Sequence, residues 1–166
     1  DVWGSKPTHS FGGSQYYVTF INDLIRKVLV YFMKRKSDVF NMFQKWKTMT
    51  ENESGSKLKC LRSDNGGEYG SQKFREFCAN NGVRWGKTLL GTPCQNGVAE
   101  RMDKTLNERA GSMGLHSGLP KTLWAETVNM TTYLISRSLS VPMRECLPKE
   151  LWSGKEVRLT FMSFWV

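Results

Sequence analysis

Hydrophobic and polar positions recur along this chain regularly enough to place its elements. "QYYVTFIND" (15–23) and "RKVLVYFMK" (26–34) are β-branched and aromatic runs of strand length. The short polar link between them predicts an antiparallel hairpin. Ser37 reads as a helix N-cap. After it, Val39, Phe40, Phe43 and Trp46 fall at helical spacing, predicting an amphipathic helix over 38–50. "ENESGSK" reads as a turn, and the alternating "KLKCLRS" (57–63) as a strand. Ser71 caps a second helix in which Phe74, Phe77 and Cys78 share one face, with a stop signal at Asn80-Asn81-Gly82. A short strand at 83–85 comes next, then the loop "GKTLLGTPCQ" (86–95), where Pro93 disfavours helix before it. The pattern is helical from Asn96 to about Met113. Leu119-Pro120 opens a last long helix, to about Ser138, whose apolar face holds Leu123, Trp124, Val128, Leu134 and Ile135. The tail from 139 reads as irregular, with one helical turn at "PKELW".

Composition narrows the class. With 166 residues, 39% hydrophobic and 23% charged, the chain can bury a core of its own and is not broadly disordered. No apolar run approaches the roughly 20 residues of a membrane helix, and no signal peptide opens the sequence. The first residue is Asp1 rather than Met, which reads as a piece of something longer. A net charge of +9, from 24 Lys and Arg against 15 Asp and Glu, favours a nucleic-acid partner, because neutralised phosphates release their counterions. Cys60, Cys78, Cys94 and Cys146 form no C-x-x-C pair and lie far from His9 and His116, so the spacing argues against a structural zinc site. Disulfides are not expected, which implies a reducing compartment. Both histidines read as surface or loop residues.

The chemistry-bearing stretch is "CLRSDNGGEYG" (60–70), where an alternating run ends in Asp64 and two glycines follow. Glycines there let a backbone turn sharply or be closely approached. Residues 65 to 99 separate Asp64 from Glu100, a spacing of 35, and Glu100 stands near the start of a helix introduced by Asn96-Gly97. A helix N-terminus presents unpaired N–H groups and a positive dipole. Taken alone, the pair reads equally well as a turn aspartate and a helix-start glutamate; the flanks weigh against that reading.

"LRSDNGGEY", "TPCQNGVAERMDKTL" and "GLPKTLWAE" resemble the catalytic core of retroviral-type integrases, in particular those in the Pol polyproteins of copia-type LTR retrotransposons. "DVWG", "YYVTFINDLIRK" and "LPKELWSGK" fit the same family, so the resemblance spans about residues 1 to 157. It implies an α/β, RNase H-like fold: a mixed five-stranded sheet flanked by helices, here with its first strand truncated. Residues 1–140 would be the catalytic core and 141–166 an irregular C-terminal extension. It further implies that Asp1, Asp64 and Glu100 bind two divalent ions, Mg²⁺ or Mn²⁺, which favour hard oxygen ligands. The chemistry would be polynucleotidyl transfer, in which a DNA 3′-hydroxyl attacks a target phosphodiester and no protein nucleophile is needed. Lys104 and Arg101 on the Glu100 helix, with Asn96 and Gln95 in the loop before it, are the DNA-contact candidates. Lys104 reads equally as an i, i+4 ion-pair partner and Asn96 as a helix cap. Asp23 in "FINDLIR" is the alternative to Asp1, although an Asn-Asp pair at a hairpin is ordinary turn chemistry. The implied partners are element and target DNA and further copies of the chain, without a membrane or a small-molecule cofactor. The implied location is nucleus and cytoplasm, in a virus-like particle or pre-integration complex, and not secreted.

The sequence also departs from the family pattern. Trp85-Gly86 stands where His-Gln is usual, Leu90 where Pro is, Cys94 where Gln is, and Leu24-Ile25 where an aromatic and a Ser are. An exposed Trp85 and the apolar end "RLTFMSFWV" would be aggregation hazards if left unpaired. A first strand that starts at Asp1 would fray, and the α-ammonium there would compete with a metal for the carboxylate. Three readings stay open: a working integrase core, a decayed copy of one, and a catalytically inactive nucleic-acid-binding or interaction module that kept the fold.

Overall fold

A computed structural model describes residues 1–64, 66–87, 97–138 and 148–154. Its centre is the expected hairpin. β2 (Tyr16–Ile21) and β3 (Val28–Met33) pair antiparallel, from Tyr16 opposite Met33 to Ile21 opposite Val28. Tyr17, Val18, Thr19 and Phe20 are all buried, so both faces of this strand are covered. Val18 and Phe20 enter one apolar cluster and Tyr17 the other. The turn is set by Asn22, whose Oδ1 accepts the N–H groups of Leu24 and Ile25, both at 3.0 Å. Asp23 pairs there with Arg26 at 2.8 Å and Arg62 at 3.5 Å, so it is a turn residue, as its alternative reading held.

β1 (Val2–Trp3) adds to the other edge of β2, with Val2 opposite Val18. The strand leaves this edge through Gly4, at φ +128°, where an added Cβ would meet Gln15 O at 2.7 Å and Tyr16 Cδ1 at 2.8 Å. Only glycine fits there.

α1 (Val39–Ser54) starts after a 3₁₀ turn at Lys36–Asp38. Ser37 lies inside that turn and is not the cap; instead Asp38 Oδ2 accepts the Arg35 N–H at 3.1 Å. The helix runs past the expected 50 because Glu51 pairs with Lys47 at 2.9 Å and Gly55, at φ 65°, supplies a left-handed C-cap. Its inner face stacks Trp46 on Phe20 at 4.6 Å and Phe43 on Phe74 at 4.9 Å.

β4 (Cys60–Ser63) and β5 (Arg84–Lys87) are parallel, joined through α2 (Gln72–Asn80). As expected, Ser71 Oγ accepts the Phe74 N–H at 3.3 Å, and Gly82 takes the left-handed conformation after the helix. Among the described residues the strands form a three-stranded antiparallel sheet in the order β1-β2-β3 and a separate parallel β4-β5 pair, where the sequence implied one mixed five-stranded sheet. Trp85 is not the exposed residue the sequence implies. It stands opposite Leu61 in the parallel ladder, half-buried, with its ring 5.6 Å from Phe74.

α3 (Gly97–His116) and α4 (Trp124–Ile135) pack on each other and on the hairpin face that carries Tyr17. α4 opens through a 3₁₀ turn at Lys121–Leu123 after Pro120 and ends at Ile135, short of Ser138. The "PKELW" turn is a helix, α5 (Pro148–Ser153), docked on α1: Trp152 Nε1 donates to Glu53 Oε2 at 2.8 Å, and the Lys27 ammonium lies 3.9 Å from the Trp152 ring centre. Leu90, Cys94 and the apolar end lie outside the described residues.

Candidate metal and nucleic-acid site

Asp64 directly follows β4 and is half-buried. Its Oδ1 accepts the Gly66 N–H at 3.2 Å, an Asx-type turn that needs a short polar side chain at this point. The strand end beneath it is held as well: Trp85 Nε1 donates to Ser63 Oγ at 3.0 Å, and Ser63 Oγ donates to the Asp64 carbonyl at 3.1 Å.

Asp1 is tied to β2 rather than frayed. Its α-ammonium donates to Thr19 O at 2.9 Å, and its carbonyl accepts the Thr19 N–H at 2.8 Å. Its own Oδ1 accepts the Val2 N–H at 2.8 Å. Glu100 stands in the first turn of α3 and is exposed.

One acidic residue near Asp1 escaped the sequence reading. Asp103 lies three residues after Glu100 on the inner face of α3, with Leu106 and Ala110, and only 7% of it is exposed. Its Oδ1 is buried without a hydrogen-bond partner, as is the Tyr17 hydroxyl. Burial pushes the Asp103 carboxyl above the usual carboxylate range, against the opposing pull of the Asp1 ammonium and the Thr19 hydroxyl. Burial and the Asp103 charge together push the Tyr17 phenol up. The sequence did carry a signal: an Asp at the i, i+3, i+7 stripe of an amphipathic helix is a polar residue at a core position.

Lys104 is exposed, with its ammonium 3.8 Å from Glu108 Oε1, so its i, i+4 partner is Glu108. Arg101 is exposed too and folds back on its own helix, Nε donating to Gly97 O at 2.8 Å. Gln95 and Asn96 lie outside the described residues. A cleft of about 510 Å³, lined by Lys6, Ala110, Leu119 and Trp124 among others, has none of the three candidate carboxylates in its wall.

Asp1, Asp64 and Glu100 carry the hard oxygen donors that a divalent cation takes. Among the described residues, no group of three or more His, Cys, Asp or Glu stands close enough together to hold an ion unaided.

The family description "Integrase core domain" matches residues 2–93, more than half of the chain. The chain belongs to the integrase core domain family. In this integrase core the matched span includes Asp64 and ends before α3. The chain is 50% identical over 157 residues, 95% of its length, to the retrovirus-related Pol polyprotein from transposon TNT 1-94 of Nicotiana tabacum. It is 33% identical over 137 residues, 82% of its length, to the Pol polyprotein from transposon RE2 of Arabidopsis thaliana. It spans 12% and 9% of those polyproteins. Among solved structures, it resembles a chain of the simian T-cell lymphotropic virus intasome in complex with PP2A regulatory subunit B56 gamma, with TM-score 0.68 and 17% identity, covering 96% of this chain and 53% of that one. It also resembles the HTLV-2 integrase catalytic core domain in complex with magnesium, in a trimeric form, with TM-score 0.61 and 16% identity, covering 90% and 99%. The fold is therefore the α/β, RNase H-like fold of integrase cores. No helix among the described residues is long and apolar enough to cross a membrane.

Proposed function

We propose that this integrase core serves DNA integration by metal-dependent polynucleotidyl transfer, joining 3′-ends of element DNA to target DNA. The observation that carries this reading is Asp64 at the end of β4, inside the matched integrase span. Asp1, Asp64 and Glu100 would hold Mg²⁺ or Mn²⁺, which when bound supplies Lewis-acid stabilisation of the phosphoryl oxygens. The chain's own part is positional. Asp64 is pinned by the Gly66 N–H and Asp1 by Thr19, while Glu100 sits where the α3 N-terminus favours an anion. Exposed Lys104 and Arg101 on the same helix would meet DNA phosphates, as would Gln95 and Asn96 before it. Assembly of several copies around element ends, in a nuclear or cytoplasmic pre-integration complex, belongs to the same reading.

A second reading is a catalytically inactive DNA-binding or interaction module. It is favoured by the absence, among the described residues, of a ready-made carboxylate cluster. Incubating the purified chain with labelled oligonucleotides and Mn²⁺ or Mg²⁺ separates the two. Nicking or joining that Asp64→Asn abolishes supports the enzyme. Salt-sensitive DNA binding without turnover, unchanged by Glu100→Gln, supports the module.

A further inference from the structure

We propose that Trp85 is a positioning residue for Asp64, acting through Ser63. The consequence for metal binding rests on the reading of Asp64 as a ligand; the positioning itself does not. In the parallel ladder Leu61 stands opposite Trp85 and Ser63 opposite Lys87, so Leu61, Ser63 and Trp85 share one face. Diagonal neighbours on a sheet are roughly 7–8 Å apart, a gap only a long or aromatic side chain can span. The Trp85 indole spans it, and its N–H reaches Ser63 Oγ at 3.0 Å. That hydroxyl then points its own proton at the Asp64 carbonyl, 3.1 Å away. A hydroxyl that accepts on one side and donates on the other is fixed in one rotamer. It holds the Asp64 carbonyl in place, and with it the Asp64 side chain whose Oδ1 accepts the Gly66 N–H at 3.2 Å.

The surroundings make the relay stiff. Ser63 is only 8% exposed, so water does not compete freely for its hydroxyl. The indole is clamped against Phe74, 5.6 Å between ring centres, with the Arg75 guanidinium 6.0 Å from its ring. Phenylalanine could fill the same space but could not donate. The residue that stands where the family pattern has His is thus joined by its ring N–H to the Asp64 strand end.

The test uses the ¹⁵N-labelled chain and four variants: Trp85→Phe, Ser63→Ala, the double variant of these two, and Trp85→His. Amide exchange at Gly66 is measured against core amides such as Val18 and Phe43, and Mn²⁺ affinity is measured by titration. Trp85→Phe and Ser63→Ala should each speed Gly66 exchange by about threefold to tenfold, the size of one lost hydrogen bond, with the core amides unmoved. Mn²⁺ affinity should weaken by a similar factor. Trp85→His should recover much of both, and the double variant Trp85→Phe with Ser63→Ala should be no worse than either single one. Gly66 exchange unchanged in both Trp85→Phe and Ser63→Ala overturns the proposal. So does exchange that rises equally at the core amides, which marks a general packing loss. If the parent chain binds no Mn²⁺, the metal reading of Asp64 falls, while the exchange data still decide the relay.

Discussion

The Asp103 carboxylate is buried on the inner face of α3 with its Oδ1 unpartnered, and its charge helps to push up the phenol of Tyr17. A charged oxygen with no partner in such a place costs stability. Asp103→Asn should therefore stabilise the fold at pH 7, by about 1–2 kcal/mol, because the amide is neutral and can donate. Urea denaturation followed by far-UV circular dichroism measures this. A midpoint that falls would mean the charge is matched by a partner after all.

Glu51 binds two donors, Lys47 at 2.9 Å and the Leu58 N–H at 2.8 Å, and these hold its carboxyl below its ordinary value of 4.5. A depressed folded-state pKa contributes stability above the unfolded value and loses it as pH falls through the folded one. Glu51→Gln should cost about 1 kcal/mol at pH 7. The gap between the two proteins should close on acidification below the ordinary carboxylate range, which denaturation curves at neutral and acidic pH would show.

Gly4→Ala should destabilise by about 1–3 kcal/mol, since its positive φ and the 2.7 Å approach to Gln15 O both exclude a Cβ. The loss should be concentrated at the β1 edge. Exchange at the Thr19 amide, which donates to the Asp1 carbonyl at 2.8 Å, should rise more than exchange at Val28 in β3.

Most elements were legible because their signals are local. The Ser71 cap, the Asn81-Gly82 stop and the Tyr16–Met33 hairpin each announce themselves within a few residues, and each formed as expected. The errors lie where a distant contact decides. The length of α1 depends on Glu51 reaching Leu58, and the burial of Trp85 on a parallel register with Leu61 across a whole crossover. The flanks of Asp64 and Glu100 set their local places, the first at the end of β4 and the second in the first turn of α3. Asp103 was passed over because acids on a basic chain attract little notice until the helix face they occupy is known.

Lys104→Ala tests the DNA reading without disturbing the fold. Its pair with Glu108 is exposed and 3.8 Å long, so the denaturation midpoint should stay essentially where it is. Affinity for DNA should drop similarly for unrelated sequences, and the dependence of log K on log salt should flatten by about one phosphate contact. Fluorescence anisotropy over a salt series measures both.

The double-sided burial of β2 bears on how the molecule assembles. The hairpin supplies residues to both apolar clusters, Phe20 to that of α1 and Tyr17 to that of α4, so neither helix has its full docking surface until the hairpin closes. Hairpins close in about 1–10 μs, well ahead of the long-range pairing that brings β4 and β5 together. Loss of the Asn22 turn would therefore loosen the docking of both helices together rather than of one alone.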